Sequence, residues 1–407
     1  MFKHVSLRYF LLLLVAALLL SCQASRNNYT VIISLDGFRW DYPEHCQTPF
    51  LDSLGEAGVK ARMEPSFPAS TFPNHYTLAT GLVPDHHGLV NNRFWDPETE
   101  YSYTMGDSLC RYNPHYYLGE PIWITAQKQG VKTGNVYWVG SDIAIHDSYP
   151  TYYRKWDEKP HWSFEERIDR IVELMSLPEE ERPRLVMGYF DEPDHQGHVY
   201  GPDAPETRAM AQHMDSLMHG LYLRLKALPI GDKINFIVTS DHGMTEISRE
   251  RFIPWVDVVP QEWVERIVAN SPTSIWAKEG CVDSLYQVLS QVEHLSVWKH
   301  GEVPEELSYG TSPRLGDLIV APDLGWQFNH RPNSGHGAHG YSPKELDMMV
   351  IFRAAGPDFK KGYEAPFTPG EQSAFHNVDI YPLLCELLGI EPAPVDGKLE
   401  RIRKILQ

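Results

Sequence analysis

Short apolar runs alternate with amphipathic stretches along most of this 407-residue chain. Helical periodicity fills two long intervals, residues 164–177 and 203–228. Five other runs are apolar and rich in β-branched residues, which is typical of strands buried on both faces: residues 31–35, 185–190, 234–240, 318–321 and 348–352. Strands that alternate with amphipathic helices predict an α/β fold with a mainly parallel sheet covered by helices on both faces.

Polar residues that follow these strands mark where a ligand would bind. In sheets of this kind the carboxyl ends of the strands form the ligand-binding crevice. Asp36, the turn 191–194 and Asp241 each come just after a predicted strand. The stretch from about 254 to 333 is rich in Trp, Pro and Glu and lacks candidate ligands. We interpret it as an inserted subregion packed beside the main sheet.

The first residues predict export. Two basic residues precede an apolar run at 10–20 that is too short to span a bilayer comfortably. The run leads to Cys22, which is typical of a bacterial lipoprotein signal, and ordinary cleavage near Ser25 is the alternative. We therefore expect attachment to the bacterial cell envelope, facing the periplasm or the outside, through a lipidated Cys22. The expected organisation is a signal peptide at 1–21, a tether at 22–28 and a catalytic domain at 29–407.

The net charge argues against nucleic-acid partners, and the cysteine spacing argues against a cysteine metal site. A formal charge of −18 argues against general nucleic-acid binding, because a polyanion would be repelled. Small phosphate esters are compatible with this charge, since bound metal ions can reverse the local potential. The four cysteines beyond Cys22 permit disulfides, but they contain no CxxC pair, so a cysteine metal site is not expected.

Acids and histidines near the strand ends are candidate metal ligands. Asp36 ends the first strand, and adjacent Asp241 and His242 end another. A histidine directly after a buried strand is energetically unfavourable unless it has a specific role, such as binding a metal ion. Two histidines, His336 and His339, lie in a glycine-rich segment that lets an imidazole approach an ion closely. Because these two are three residues apart, only one need bind, and His339 is preferred over His336.

The segment 191–198 offers two acid–histidine pairs. Asp194 and His198 lie four residues apart, a spacing that lets both side chains reach one ion on a single helical turn. Asp191 and His195 have the same spacing. We assign His195 to the surface, and the spacing alone does not separate Asp191 from Asp194 as the ligand.

Thr71 is the candidate nucleophile. It precedes Pro73 and an apolar segment, which is typical of a helix N-cap with proline in the first turn. A hydroxyl there would feel the positive end of the helix dipole, and a bound zinc ion would lower its pKa further. Neighbouring Ser70 is the alternative nucleophile. The segment that contains Asn91 and Asn92 is, on its own, typical of a turn, and a side-chain amide near a phosphorus centre could donate to a non-bridging oxygen.

From about residue 31 to 396, these segments resemble, in order, the nucleotide pyrophosphatase/phosphodiesterase family of the alkaline phosphatase superfamily. The resemblance is carried by Leu35-Asp-Gly-Phe, Thr71-Phe-Pro-Asn-His-Tyr, His87-Gly-Leu-Val-Asn-Asn, Glu192-Pro-Asp-His-Gln-Gly-His, Ser240-Asp-His-Gly-Met and Ala338-His-Gly. It implies an alkaline-phosphatase-like three-layer α/β/α sandwich. The extra terminal modules of the animal members are not seen, so the chain resembles a bacterial member made of the catalytic domain alone.

The resemblance also implies a site, residue by residue. One zinc ion would be held by Asp194, His198 and His339, because the family's acid is the one that follows Glu-Pro. A second would be held by Asp36, Asp241 and His242, with Thr71 as both ligand and nucleophile. Asn92 would be the amide that stabilises the oxyanion. The walls of a nucleobase pocket would be Phe72, Trp138 and Tyr153.

The expected protein is an exported dizinc hydrolase that cleaves phosphodiester or pyrophosphate bonds through a phosphothreonyl intermediate and releases nucleoside 5′-monophosphates. Its partner would be a small nucleotide or other diester, with no nucleic-acid polymer. Three alternatives stay open: a phosphomonoesterase, a phospholipid or phosphonate hydrolase with the same metal site, and a non-catalytic envelope binding protein. The aromatic stretch 136–142 lacks the Lys or Arg expected beside a dianionic monoester, which favours a diester.

Overall fold

Strands and helices alternate through residues 28–367 and 375–407, the part of the chain that the computed structural model describes. Numbered along the chain, the strands are β1 (Tyr29–Leu35), β2 (Val59–Met63), β3 (Arg93–Asp96), β4 (Tyr101–Thr104), β5 (Thr133–Val136), β6 (Leu185–Phe190), β7 (Ile234–Thr239), β8 (Thr245–Glu246), β9 (Phe252–Pro254), β10 (Val264–Val268), β11 (Thr273–Ala277), β12 (Leu295–Lys299), β13 (Leu318–Pro322), β14 (Gln327–Asn329), β15 (Gly337–Ala338), β16 (Val350–Ala355) and β17 (Tyr363–Glu364).

The α-helices of the same residues range from one turn to six turns in length. Numbered along the chain, they are α1 (Tyr42–His45), α2 (Pro49–Ala57), α3 (Thr71–Thr80), α4 (Pro84–His87), α5 (Ser108–Arg111), α6 (Ile122–Lys128), α7 (Phe164–Ser176), α8 (Asp194–Tyr200), α9 (Pro205–Lys226), α10 (Trp255–Val258), α11 (Val282–Leu289), α12 (Ile380–Leu388) and α13 (Leu399–Ile402). The two long intervals with helical periodicity are α7 and α9.

The central sheet contains seven strands in the order β17-β2-β16-β7-β1-β6-β5. Strand β1 runs parallel to both of its neighbours, β6 and β7, and β5 continues the parallel set beside β6. Strand β16 runs antiparallel to β7 and to β2. The sheet is therefore mainly parallel with one reversed strand, which confirms the α/β fold class predicted from the sequence.

Strand β1 shows why the sheet is buried on both faces. Its alternate residues Val31, Ile33 and Leu35 pack into one apolar cluster with helices α2, α7 and α9. Ile32 points the other way, into a second cluster with α3, α6 and α12. Because side chains alternate across a strand, an unbroken apolar run needs cover on both sides, and the two helical layers supply it.

A second, smaller sheet lies in the stretch 254–333. Strands β10, β11, β13 and β12 form it in that order, and every pairing is antiparallel. The run at 318–321, predicted as a strand like those of the parallel sheet, is β13 of this sheet instead. Leu318 and Val320 face a local apolar cluster while Ile319 faces the main core, so β13 is also buried on both faces and carries the same pattern. The limits of the inserted subregion stay a prediction.

The predicted signal peptide and Cys22 lie outside the described residues. Within residues 28–367 and 375–407, no helix has both the length and the apolar character needed to cross a membrane. Cys46, Cys110, Cys281 and Cys385 each carry a free thiol.

Candidate active site

The acids and histidines predicted as metal ligands meet at the carboxyl ends of the adjacent strands β6, β1 and β7. Asp36 directly follows β1, Asp241 comes two residues after β7, and α8 begins four residues after β6. Strand β15 pairs with β8, which brings the segment of His339 beside the segment of Asp241. The six side chains form two groups of three, in each of which the ligand atoms lie within 4.8 Å of one another: Asp36, Asp241 and His242, and Asp194, His198 and His339.

All three side chains of the first group are buried. His242 Nε2 lies 3.3 Å from Asp36 Oδ1 and 3.2 Å from Asp241 Oδ2. The other oxygen of each carboxylate is held by a protein donor. The Tyr189 hydroxyl donates to Asp36 Oδ2 at 2.6 Å, and the Gly37 N–H donates to Asp241 Oδ1 at 3.2 Å. Each acid is therefore oriented with one oxygen turned toward His242.

The second group is built on helix α8. Asp194 and His198 lie one turn apart on this helix, with His198 Nε2 at 3.5 Å from Asp194 Oδ1. His339 Nε2 lies 3.9 Å from the same oxygen. The His198 side chain is 40% exposed and the other two are more buried, so this group is the one open to solvent.

A backbone carbonyl fixes the tautomer of each ligand histidine. The Nδ1 atoms of His242, His198 and His339 lie 2.8 Å from Gly243 O, 2.9 Å from Gly337 O and 3.0 Å from Ala69 O. A carbonyl oxygen only accepts hydrogen bonds, so each Nδ1 carries the proton. The lone pair of each ring is therefore on Nε2, the atom that faces the carboxylates, as in metal-ligating histidines.

Three carboxylate oxygens in the site have no hydrogen-bond partner although they are buried: Asp36 Oδ1, Asp194 Oδ1 and Asp241 Oδ2. Each of them lies within 4 Å of the Nε2 atom of a ligand histidine, which carries a lone pair. Burying so many acceptors without a donor is unfavourable unless a cation binds them. Two groups of nitrogen and oxygen donors of this kind fit divalent ions, and the histidines favour zinc over the hard cations.

Crowding of charges shifts the acidities in the site. Burial, together with the Asp241 carboxylate, raises the pKa of Asp36 well above its ordinary value. Burial acts to raise the pKa of Asp241 too, but the imidazoles of His242 and His75 hold this pKa well below its usual range. Burial and the neighbouring histidines lower the pKa of His339, so its ring stays neutral and suited to metal binding.

The candidate nucleophile sits at the start of helix α3. The prediction that Thr71 is the N-cap is wrong by one residue, because Ser70 has the extended backbone of an N-cap and Thr71 is the first helical residue. The Thr71 hydroxyl lies 3.0 Å from His242 Nε2, against the first group. Asn92 Oδ1 accepts a hydrogen bond from the Phe72 N–H at 2.9 Å, which orients the amide and leaves its own N–H donors for a ligand.

An aromatic cleft of about 480 Å³ opens beside Thr71. Phe72 and Trp138, both predicted as pocket walls, line it together with Trp156. Tyr153, predicted for the same pocket, does not line this cleft: its ring stacks on Tyr149 with 4.5 Å between centroids, and 39% of the residue is exposed, so its role in base binding stays a prediction.

Residues 30–342 match the sequence profile of the family described as type I phosphodiesterase / nucleotide pyrophosphatase. The chain belongs to this family. It is therefore a hydrolase of the phosphodiesterase/pyrophosphatase class.

Individual members of the family match over nearly the whole chain. Ectonucleotide pyrophosphatase/phosphodiesterase family member 5 from Homo sapiens is 34% identical over 381 residues, which cover 92% of this chain and 77% of the relative. Family member 7 from Mus musculus is 34% identical over 400 residues, which cover 94% and 88%. The structure of murine ectonucleotide pyrophosphatase/phosphodiesterase 5 has a TM-score of 0.86 at 33% identity and covers 93% of this chain and 100% of that one. An inactive threonine-to-alanine variant of that murine protein has been solved in complex with AMP.

Arg167 lies beside two aromatic residues that line the cleft, Tyr137 and Trp156. Its guanidinium carbon lies 5.0 Å from the ring centroid of Tyr137 and 5.8 Å from that of Trp156. It donates to Tyr189 O at 3.0 Å and to the Asp191 carboxylate at 2.6 Å. Asp191, which competes with Asp194 in the sequence, is thus paired with an arginine and stays out of both ligand groups.

The other side chains that compete in the sequence also lie outside both ligand groups. His195 and His336 are exposed, and His195 borders the aromatic cleft. His195 directly follows Asp194 on α8, so its side chain points to a different side of the helix. His336 lies three residues before His339 in the glycine-rich segment.

The sequence analysis missed two residues that orient the ligands. His75 is fully buried, with Nδ1 at 3.0 Å from Thr71 O and at 3.2 Å from Asp241 Oδ2. Its position one helical turn after Thr71 was a usable signal. Tyr189, whose hydroxyl binds Asp36, gives no such signal, because only the parallel pairing of β6 with β1 brings the two side chains together.

Proposed function

We propose that this family member is an exported, zinc-dependent nucleotide phosphodiesterase/pyrophosphatase that releases nucleoside 5′-monophosphates through a phosphothreonyl intermediate. The observation that carries the proposal is the Thr71 hydroxyl, which lies 3.0 Å from His242 Nε2 and lines an aromatic cleft. Export and attachment through Cys22 rest on the sequence of the first 22 residues alone.

Each ligand group would hold one zinc ion, Asp36, Asp241 and His242 in one case and Asp194, His198 and His339 in the other. When bound, two such ions supply positive charge that lowers the pKa of a nearby hydroxyl and stabilises the charge that develops on phosphoryl oxygens. The orphaned carboxylate oxygens and the fixed histidine tautomers support this assignment.

Thr71 would carry the covalent step. Its oxygen forms a bond to phosphorus as the bond from phosphorus to the leaving oxygen breaks, and water then hydrolyses the phosphothreonine. The Thr71 oxygen and His242 Nε2 lie 3.0 Å apart, so the two atoms can share a cation or a proton. The N–H donors of Asn92, oriented by the Phe72 N–H, would bind a non-bridging oxygen of the phosphoryl group.

The aromatic cleft would bind the nucleoside. The AMP complex of the murine relative supports a nucleotide as ligand. Phe72, Trp138 and Trp156 offer apolar rings for stacking on a nucleobase. Arg111 and Asp142 line the same cleft and provide a hydrogen-bond donor and an acceptor for the polar edge of the base.

A rate comparison on zinc-loaded protein tests the substrate class. We expect kcat/KM for thymidine 5′-monophosphate p-nitrophenyl ester to exceed that for p-nitrophenyl phosphate by on the order of 100-fold, because only the ester uses the aromatic cleft. Both substrates release p-nitrophenolate, so one absorbance assay serves for both. Faster hydrolysis of the monoester would overturn the substrate class while leaving the family membership intact.

Trp156→Ala and Tyr153→Ala separate the wall seen in the structure from the wall predicted from sequence. We expect Trp156→Ala to raise KM for the nucleotide ester about 10-fold with little change in kcat, because base stacking on an aromatic side chain contributes about 1–3 kcal/mol. Tyr153→Ala should leave both constants unchanged, since its ring stacks on Tyr149 outside the cleft. A raised KM in Tyr153→Ala together with an unchanged KM in Trp156→Ala would show that Tyr153, and not Trp156, binds the base.

A further inference from the structure

A second cleft, of about 390 Å³, lies at the β17-β2-β16 side of the central sheet. Among the described residues it shares no lining side chain with the aromatic cleft or with the two ligand groups. Three cations line it, Lys60 and Arg62 on β2 and Arg353 on β16. Because Lys60 pairs with Arg353 in register and Arg62 comes two residues later, all three side chains leave the same face of the sheet.

Arg353 is the buried cation of this cleft, with 3% of the residue exposed. Its Nη1 donates to Ala61 O at 3.2 Å and to Phe352 O at 3.1 Å. Its Nε is buried and has no hydrogen-bond acceptor among the described residues. Burial lowers the pKa of Arg353 to about 10, which the carboxylates of Asp52 and Glu364 oppose only in part. A buried guanidinium in this state is unfavourable unless an anion binds it.

The bonds of Arg353 leave one edge of its guanidinium for a ligand. Nη1 carries two protons, and the carbonyls of Ala61 and Phe352 accept both of them. The remaining edge, formed by Nε and Nη2, is the fork that binds the two oxygens of a carboxylate. Gly55 on α2 gives the side chain its space, because a Cβ atom at this position would lie 2.8 Å from Arg353 Cδ and 3.1 Å from Nε.

The other two cations are paired with acids at the surface. Lys60 Nζ lies 3.3 Å from Glu364 Oε1, and Arg62 Nη2 lies 3.2 Å from Glu44 Oε1. Both acids are at least half exposed, so these pairs contribute little stability. Together with Asp52 they place three carboxylates around the cleft. A ligand with a singly charged head group is therefore favoured over a dianion, which these carboxylates would repel more strongly.

The walls of the cleft are aromatic and apolar. The rings of Trp40 and Phe367 both line it, with 5.9 Å between centroids, and Arg62 Cζ lies 3.8 Å and 4.1 Å from these centroids. Pro43 and Pro366 add further apolar surface. A cleft of this volume is large enough for a small organic molecule, and a bare inorganic ion would leave the rings without a contact.

We propose that this cleft is a binding site for a small organic monocarboxylate. The carboxylate binds the Nε and Nη2 edge of Arg353, and the apolar body of the ligand packs against Trp40 and Phe367. The site is separate from the candidate active site, so the inference does not depend on the proposed function. Because the ligand binds the folded chain, its occupancy stabilises that chain against unfolding.

Calorimetry of zinc-loaded protein with benzoate and with benzamide tests the proposal. The two probes have nearly the same size and the same ring, and only benzoate is charged. We expect benzamide to bind at least about tenfold more weakly, because hydrogen bonds between charged groups are stronger than those of a neutral amide. Saturating thymidine 5′-monophosphate should leave the Kd of benzoate unchanged. Equal affinities of the two probes, no saturable binding of benzoate, or displacement of benzoate by the nucleotide would each overturn the proposal.

Arg353→Met and Lys60→Met locate the bound carboxylate. The two variants make the same change on the same face of the sheet, and we expect only Arg353→Met to weaken benzoate about tenfold or more. Lys60→Met should weaken it less than about threefold, because Lys60 is already paired with an exposed acid. Benzoate should raise the melting temperature of the unmodified protein and of Lys60→Met, but not that of Arg353→Met.

Arg353→Lys is the second variant, should the methionine variant not fold. It keeps the charge but lacks the fork of two donors, and we expect benzoate to bind about fivefold more weakly. Melting curves without ligand show which variants are folded. An unchanged Kd of benzoate in a folded Arg353 variant, or equal losses in the Arg353 and Lys60 variants, would overturn the assignment of the carboxylate to Arg353.

Discussion

Replacing Thr71 by alanine is expected to lower turnover of the nucleotide ester by on the order of 1,000-fold or more, because the change removes the attacking oxygen. The three side chains grouped with it, Asp36, Asp241 and His242, stay in place to hold a metal ion. We therefore expect the zinc content of the variant to remain close to that of the unmodified protein. Stopped assays at high enzyme concentration and mass spectrometry of bound metal would check the two halves of this prediction.

Ser70→Ala is the matched control, since the sequence alone left the neighbouring hydroxyl as a rival nucleophile. The structure puts the Thr71 oxygen, and not that of Ser70, 3.0 Å from His242 Nε2, so the Ser70 variant should keep most of its turnover. Thr71→Ser should recover part of the activity because it restores a hydroxyl at the same position. An inactive Ser70→Ala protein beside an active Thr71→Ala protein would move the nucleophile by one residue.

The site residues that the sequence predicts well are those whose positions depend on local patterns, namely strand ends and helical spacing. Asp36 and Asp241 follow apolar runs that are continuous because both sheet faces are covered, and the ends of neighbouring parallel strands must converge. Asp194 and His198 are joined by a single helical turn. For these residues, strand position and helix period carry the three-dimensional information.

The sheet that contains β13 and the residues that orient the ligands could not be predicted, because both depend on contacts between segments that are distant in the sequence. Nothing in the run around β13 distinguishes it from a strand of the main sheet, because burial on two faces produces the same pattern in either sheet. The Tyr189 hydroxyl reaches Asp36 only through strand pairing, and Arg167 reaches the aromatic wall only through the packing of α7. Side chains that orient the ligands are therefore harder to predict than the ligands.

Metal removal is the second change with a very large expected effect. Treatment with a chelator should reduce hydrolysis to background and lower the melting temperature, and added zinc should restore both, because the ligand atoms come together only in the folded chain. The rise in melting temperature on adding zinc should shrink as the pH falls. Burial raises the pKa of Asp36, so protons compete with zinc for this carboxylate at a higher pH than for an ordinary aspartate.

Two histidines on α8 turn this prediction into a test of the two-ion assignment. His198→Gln removes a ligand from the group with Asp194 and His339, and we expect the metal content to fall from about two ions per chain to about one. His195→Gln makes the same change three residues earlier, at an exposed histidine outside both groups, and should leave the metal content at about two. The pair has the same chemistry, the same helix and the same change in charge, so only membership of the group distinguishes them. A content of about two ions in both variants would show that His198 is not a ligand and would contradict the assignment of the second ion to this group.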